Sequence, residues 1–285
     1  MVRLIAFLIG LFMSGWLLVS AGITTYGMIT DPAKETVEAK FHKHPKHVSF
    51  KHDGLFGKYD KQQLQRGFKV FTEVCSACHS AKLVSFRDLS ALGYSEDEVK
   101  AIAKGWKTEV PSINPDTGEA ATRPGIAADK IPSPYANDTA ARAANNNALP
   151  PDLSLITKAR HNGPAYVYSL LTGYDDANTH KNEKGELLPK ESRPGTGLHY
   201  NPYFANLNLA MAEPLTADGQ VTYDDGTKAT KDQMAKDVAA FLTWTAEPKM
   251  EARKTAGWAA LIFLIIFTGL TYLSYRTIWA DKKKH

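Results

Sequence analysis

Cys75-Ser76-Ala77-Cys78-His79 is the stretch of this chain best suited to do chemistry. Two thiols three positions apart can add to the two vinyl groups along one edge of a porphyrin. The histidine that follows is then carried beneath the iron, where an imidazole nitrogen can serve as proximal ligand. Two other chemistries use paired cysteines. A structural zinc site needs about four protein ligands, usually two cysteine pairs or a cysteine pair with a histidine pair. A redox dithiol sits in a βαβ unit and has no use for the adjacent histidine. The chain has only 2 cysteines, both in this run, so the reading is one covalently attached haem c. No cysteine is left for a disulfide.

A low-spin electron carrier needs a sixth iron ligand, usually Met or His. Met1, Met13 and Met28 fall in an apolar N-terminal run, Met234 on the apolar stripe of a helix, and Met250 in a polar lead to a second apolar run. Met211 remains, in a loop between Asn201-Pro202-Tyr203-Phe204 and Glu213-Pro214-Leu215. His161, His180 and His199 are the alternatives. His42, His44, His47 and His52 lie among lysines at no ligand spacing, so residues 31–59 read as a polar linker.

The elements that must position these residues are helical. Asp60 is an N-cap signal, and Leu64, Phe68, Phe71 and Cys75 recur at helical spacing, which predicts a helix over 61–75 that delivers the haem-binding run at its end. Gly67 within it calls for a close backbone approach. Ser95-x-x-Glu98 is a capping box opening a helix to about Lys104. Residues 105–150, rich in Pro, Asn, Gly and Ala, show no period and read as irregular chain wrapping the cofactor. A helix is expected over 163–173, then turns through 174–229. Thr230-Lys231-Asp232-Gln233 is a second capping box, opening a helix with Met234, Val238, Phe241, Leu242 and Thr245 on one face. Gly67 is the natural point for the first and last domain helices to cross.

Both ends are apolar. Residues 4–29 and 256–275 carry no charge, and either run is long enough to span a bilayer, which takes ~20 residues. Val19-Ser20-Ala21 also offers a signal-cleavage site, so residues 1–30 are a retained anchor or a signal sequence. Residues 31–255 form the cytochrome c domain, in which acids and bases balance, and 256–285 an anchor with a basic tail. Arg3 at one end and Arg276, Lys282, Lys283 and Lys284 at the other place both termini in the cytoplasm by the positive-inside rule. The domain then lies on the periplasmic side of a bacterial inner membrane. The neutral body gives nucleic acid no footing. The fold class expected is mainly α with long irregular loops, a c-type cytochrome domain flanked by transmembrane helices.

From about Leu55 onward the chain resembles cytochrome c1, the haem subunit of the quinol–cytochrome c oxidoreductase (complex III), in its bacterial form. The resemblance is carried by the haem run, Arg142 before Asn145-Asn146-Asn147, Pro150-Pro151-Asp152-Leu153-Ser154, Tyr166 to Tyr174 with Leu170-Leu171-Thr172-Gly173-Tyr174, Asn201-Pro202-Tyr203-Phe204, and Met211-Ala212. It implies that Met211 is the axial methionine and that Arg142 lies by a haem propionate. It also implies electron flow from a Rieske iron–sulfur subunit to a c-type cytochrome, beside a cytochrome b subunit that oxidises the quinol. The chain would then be no enzyme on its own. Rival readings are a membrane-tethered carrier for a terminal oxidase, and a haem enzyme or sensor with an open sixth position. Acids outnumber bases over 175–250, and Asp218, Asp224 and Asp225 are candidates either for steering a basic partner or for making turns.

Overall fold

The computed structural model describes residues 1–31, 34–280 and 282; Lys283 and Lys284 of the basic tail lie outside the described residues. Its helices are α1 (Val2–Thr30), α2 (Val37–Phe41), α3 (Lys61–Glu73), α4 (Glu96–Lys104), α5 (Asp138–Ala144), α6 (Gly163–Leu171), α7 (Lys231–Ala246) and α8 (Met250–Trp279). Two short antiparallel pairs join them, β1 (Val110–Ile113) with β2 (Ala120–Arg123), and β3 (His199–Tyr200) with β4 (Asn208–Leu209). The architecture is mainly helical with long irregular connections, as expected.

The core sits where α3 crosses α7. Asp60 caps α3 by accepting from the Gln62 and Gln63 amides, and Leu64, Phe68 and Phe71 are buried along one face. Gly67 is the contact point. A Cβ there would stand 2.1 Å from the Asp237 carbonyl oxygen and 2.7 Å from the Phe241 Cβ. Beside it the fully buried Asp237 carboxylate accepts from Arg66 Nε (2.8 Å), Gln63 Nε2 (3.1 Å) and Gln233 Nε2 (2.8 Å). A buried charge is tolerated only when paired and hydrogen-bonded in this way.

α7 is buried on more than the one expected face, since Ala235, Ala239, Ala240 and Trp244 are inside as well. Its capping box is half formed. Thr230 Oγ1 accepts from the Gln233 amide, but the Thr230 amide already donates to the Lys228 carbonyl, and the Gln233 side chain turns to Asp237. The box on α4 is complete. α3 stops two residues before Cys75, which lies instead in a 3-10 turn.

Two stretches differ from their sequence reading. Residues 34–59 are a strap, not a free linker. Phe41 enters a second core with Ala177, Leu188, Tyr200 and Leu207, and Phe50 enters the main one. Between them the Lys43 amide donates to the Pro202 carbonyl, and Lys46 donates through its amide to Ser169 Oγ and through Nζ to the Thr172 carbonyl. Two isolated aromatic anchors in a polar run leave no periodic signal. Residues 105–150 hold the β1–β2 hairpin and α5, each too short to show a period. Met250, in the polar lead, is itself buried at the start of α8.

Candidate haem site

The 3-10 turn Cys75–Ala77 follows α3 directly, and the amides of Cys78 and His79 both donate to the Cys75 carbonyl, at 3.1 and 2.9 Å. Both thiols are free. Burial, with Cys78 alongside, pushes the Cys75 thiol up to about 12. A redox-active cysteine is shifted the opposite way. Among the described residues no group of three or more Cys, His, Asp or Glu gathers as a structural zinc site would require.

His79 Nδ1 lies 2.8 Å from the Pro151 carbonyl oxygen. A carbonyl only accepts, so the ring proton is on Nδ1 and the Nε2 lone pair is left for a metal. Burial lowers the pKa of this imidazole, favouring the neutral ring that ligation needs. The proline-rich motif supplies the rest of the clamp. Asp152 accepts from Ser80 Oγ (2.7 Å) and the Lys82 amide (2.8 Å), the Leu153 amide donates to the Ser80 carbonyl (2.8 Å), and Ser154 Oγ accepts from the Leu83 amide (3.1 Å). Thr245 of α7 donates to the Ser154 carbonyl, so the clamp is moored to the core. Free thiols one turn apart, beside an imidazole with its Nδ1 tied back, fit a covalently held haem.

The three asparagines before this motif have separate tasks. Asn145 donates to the hydroxyl of Tyr135 (2.9 Å), which itself sits against Cys78. Asn146 and Asn147 take left-handed backbone, φ 52° and 64°, a conformation asparagine tolerates better than most residues. Arg142, in the last turn of α5, is exposed and donates to the Asn147 carbonyl at 3.1 Å. Among the described residues the arginine ion pairs belong to Arg66, Arg123 and Arg253, so Arg142 has no carboxylate of its own. Arg87, Arg160 and Arg193 likewise have no ion pair among the described residues, and the Arg160 guanidinium lies 6.0 Å from the centre of the Tyr166 ring.

Met211 is half-buried just beyond β4. Its carbonyl accepts from the Tyr174 hydroxyl at 3.0 Å, and Glu213 two residues on pairs with Lys231 Nζ. The segment is built on the end of α6. Asn201, fully buried, donates to the Leu170 carbonyl (2.8 Å) and accepts from the Tyr203 amide (3.0 Å). Gly173 is required there, because a Cβ would stand 2.3 Å from the Tyr203 ring. Of the alternative ligands, His180 is buried with Nδ1 2.6 Å from Asp175 Oδ2 and its ring against Tyr200, while His161 and His199 are exposed. Met234 is fully buried in the core.

The acidic trio is spent within the chain. Asp218 accepts from the Lys231 amide, Asp224 pairs with Lys69 at 2.9 Å, and Asp225 pairs with Arg66 at 2.6 Å. Each therefore has a turn or tether role within the chain.

A family model described as Cytochrome C1 family matches residues 50–282. The chain is 49% identical over 237 residues to "Cytochrome c1" of Rhodospirillum rubrum, covering 81% of this chain and 85% of that one. It is 47% identical over 233 residues to "Cytochrome c1 1, heme protein, mitochondrial" of Arabidopsis thaliana, covering 81% and 71%. A "Cytochrome b/c1" of Bradyrhizobium diazoefficiens is 42% identical over 285 residues, and this chain spans 39% of its length.

Proposed function

The chain belongs to the cytochrome c1 family, and on that premise we propose that it is the membrane-anchored haem c subunit that carries electrons out of a quinol–cytochrome c oxidoreductase. Cys75 and Cys78 would hold the haem as thioethers, His79 Nε2 and the Met211 thioether would be the axial ligands, and Arg142 would meet a propionate, with Arg160 as a second cation on offer. Once held, the haem supplies a one-electron couple at its iron. The chain's own residues bind, orient and bury it. Pro151 fixes the imidazole, Asp152 and Ser154 hold the turn that follows, and Tyr174 with Asn201 moors the Met211 segment. No acid–base catalyst is needed for this work; the oxidoreductase is the complex, and this chain is its carrier.

The donor would be a Rieske iron–sulfur subunit and the acceptor a c-type cytochrome. A relative whose name joins cytochromes b and c1 supports cytochrome b as a neighbour. Helices α1 and α8 are each long and apolar enough to cross a membrane, and Arg3, Arg276 and Lys282 lie beyond the ends of their uncharged runs. These features support anchoring in a bacterial inner membrane with residues 31–255 on the periplasmic side, residues 256–285 as the anchor, and residues 1–30 as a further anchor or a signal.

The observation that carries the reading is the tied-back His79 imidazole, one turn beyond the Cys75 thiol and next to that of Cys78. Purification of the tagged chain from detergent-solubilised membranes tests the assignment to the complex. Cytochrome b and a Rieske subunit should co-purify in equal proportion, with quinol-dependent cytochrome c reduction. A terminal oxidase in their place would overturn it in favour of the tethered carrier.

A further inference from the structure

Leu55 and Phe56 are 69% and 76% exposed, at the tip of a loop on the cytochrome domain. The loop is nonetheless tightly made. Gly54 takes a left-handed φ of 70°, and at Gly57 a Cβ would stand 2.1 Å from the Asp53 carbonyl oxygen. The Phe50 amide donates to Asp53 Oδ2 at 2.7 Å, and the Lys58 amide to the Lys51 carbonyl at 3.1 Å. Lys254 of α8 then donates through Nζ to the carbonyls of His52 (2.8 Å) and Gly57 (3.0 Å), bracketing the tip. Two large apolar side chains are thus held outward by design of the backbone.

What they stand beside identifies their surroundings. The Phe56 ring stacks on Trp258, centroids 4.9 Å apart and planes 3° from parallel, and the Trp258 indole N–H points to the Leu55 carbonyl at 3.5 Å. Trp258 marks a boundary on α8. Glu251, Arg253 and Lys254 precede it, and residues 256–275 carry no charge. An aromatic at the charged-to-apolar boundary of a spanning helix is placed at the headgroup level of a bilayer. We infer that the Gly54–Gly57 loop is a second membrane contact, with Leu55 and Phe56 inserted beside Trp258 into the lipid headgroup–acyl boundary.

This rests on the reading of α8 as a membrane anchor. Lipid is favoured over a protein neighbour by the charge around the loop. Lys58 adjoins it and has no ion pair among the described residues, which suits an anionic headgroup, while Lys51 at the other end is bridged to Asp60 at 2.5 Å. A preformed loop inserts with little ordering cost. One anchoring helix alone leaves the domain free to tilt, whereas a helix and a rigid loop together fix its height and inclination over the bilayer.

Photo-crosslinking in the intact membrane complex tests this. p-Benzoylphenylalanine is placed at position 56, at position 55 in a second variant, and at position 263 in the middle of α8 as control, with covalent haem content reporting folding. After irradiation, the subunit carrying the probe at 55 or 56 should gain the mass of one phospholipid. A crosslink from both loop positions to another subunit, or none from either while position 263 captures lipid or a membrane-embedded chain, would overturn the inference and leave the anchor standing. Failure of position 263 to capture either would overturn the anchor reading itself, and the inference with it.

Discussion

A carbonyl can only accept a hydrogen bond, so the Pro151 oxygen decides which nitrogen of His79 carries the proton and which is offered to a metal. That is a specific task for a residue whose sequence signal is only membership of a proline-rich run. The Cys-x-x-Cys-His residues were legible because their chemistry dictates their spacing. The supporting roles of Tyr135, Asn145, Asp152 and Tyr174 were not, although the last three lie in the motifs that carry the resemblance, because a hydrogen bond across the fold leaves no local pattern. Arg142 is the residue whose role is most open to measurement. If it faces a propionate, Arg142→Gln removes a fixed positive charge that favours the reduced iron and the ionised carboxylate. The midpoint potential should then fall, by on the order of tens of millivolts, and its pH-dependent span should move to higher pH. Redox titration across pH, with Arg160→Gln as comparison, checks this. If only the Arg160 variant responds, the propionate belongs to Arg160.

At the scale of elements, the α3–α7 crossing is where sequence and structure agree best. Gly67 predicted a close approach, and the Asp237 carbonyl is what approaches. Since that neighbour is backbone, it cannot yield cheaply. Gly67→Ala should lower the denaturation midpoint by an amount equivalent to about 1–3 kcal/mol, the usual cost of overpacking; an unchanged midpoint would mean that the crossing adjusts freely. The strap was misread for a physical reason. Its composition is that of a solvated linker, and among its described residues Phe41, Phe50 and His52 bury themselves. His52 within it is buried between the rings of Phe50 and Tyr59, at 4.9 and 5.3 Å. Burial lowers its pKa, Lys254 adds to this, and Asp53 opposes it. The fold therefore prefers neutral His52. Its contribution is complete above the unfolded-chain value of about 6.5 and is lost as pH falls from there through the depressed folded value. Melting curves between about pH 7.5 and about pH 5 should show a steeper acid loss for the native chain than for His52→Phe, which keeps the stack without the titration. Parallel profiles would remove His52 from the account.

At the scale of the whole molecule, the two proposed iron ligands come from opposite ends of the domain. His79 follows α3, early in the domain, and Met211 lies in the connection leading to its last helix, α7. Neither end can bring them together alone. The crossing of α3 and α7 holds one side, and α6 with Asn201 and Tyr174 holds the other. The apolar termini and the helical class were plain from composition and charge, whereas the course of the loops was not, since it is set by side-chain hydrogen bonds. A carrier needs the convergence complete, with the sixth position filled and no room for an exogenous ligand. The most direct test is the reduced absorption spectrum with and without carbon monoxide, taken on the native chain and on Met211→Leu. The account predicts a native spectrum that is low-spin and unmoved by carbon monoxide. The variant should keep its covalent haem, bind carbon monoxide and show a lower midpoint potential, because methionine ligation raises it. A native protein that binds carbon monoxide would contradict the carrier, and a Met211→Leu protein with unchanged spectrum and potential would move the sixth ligand to His180 or His199.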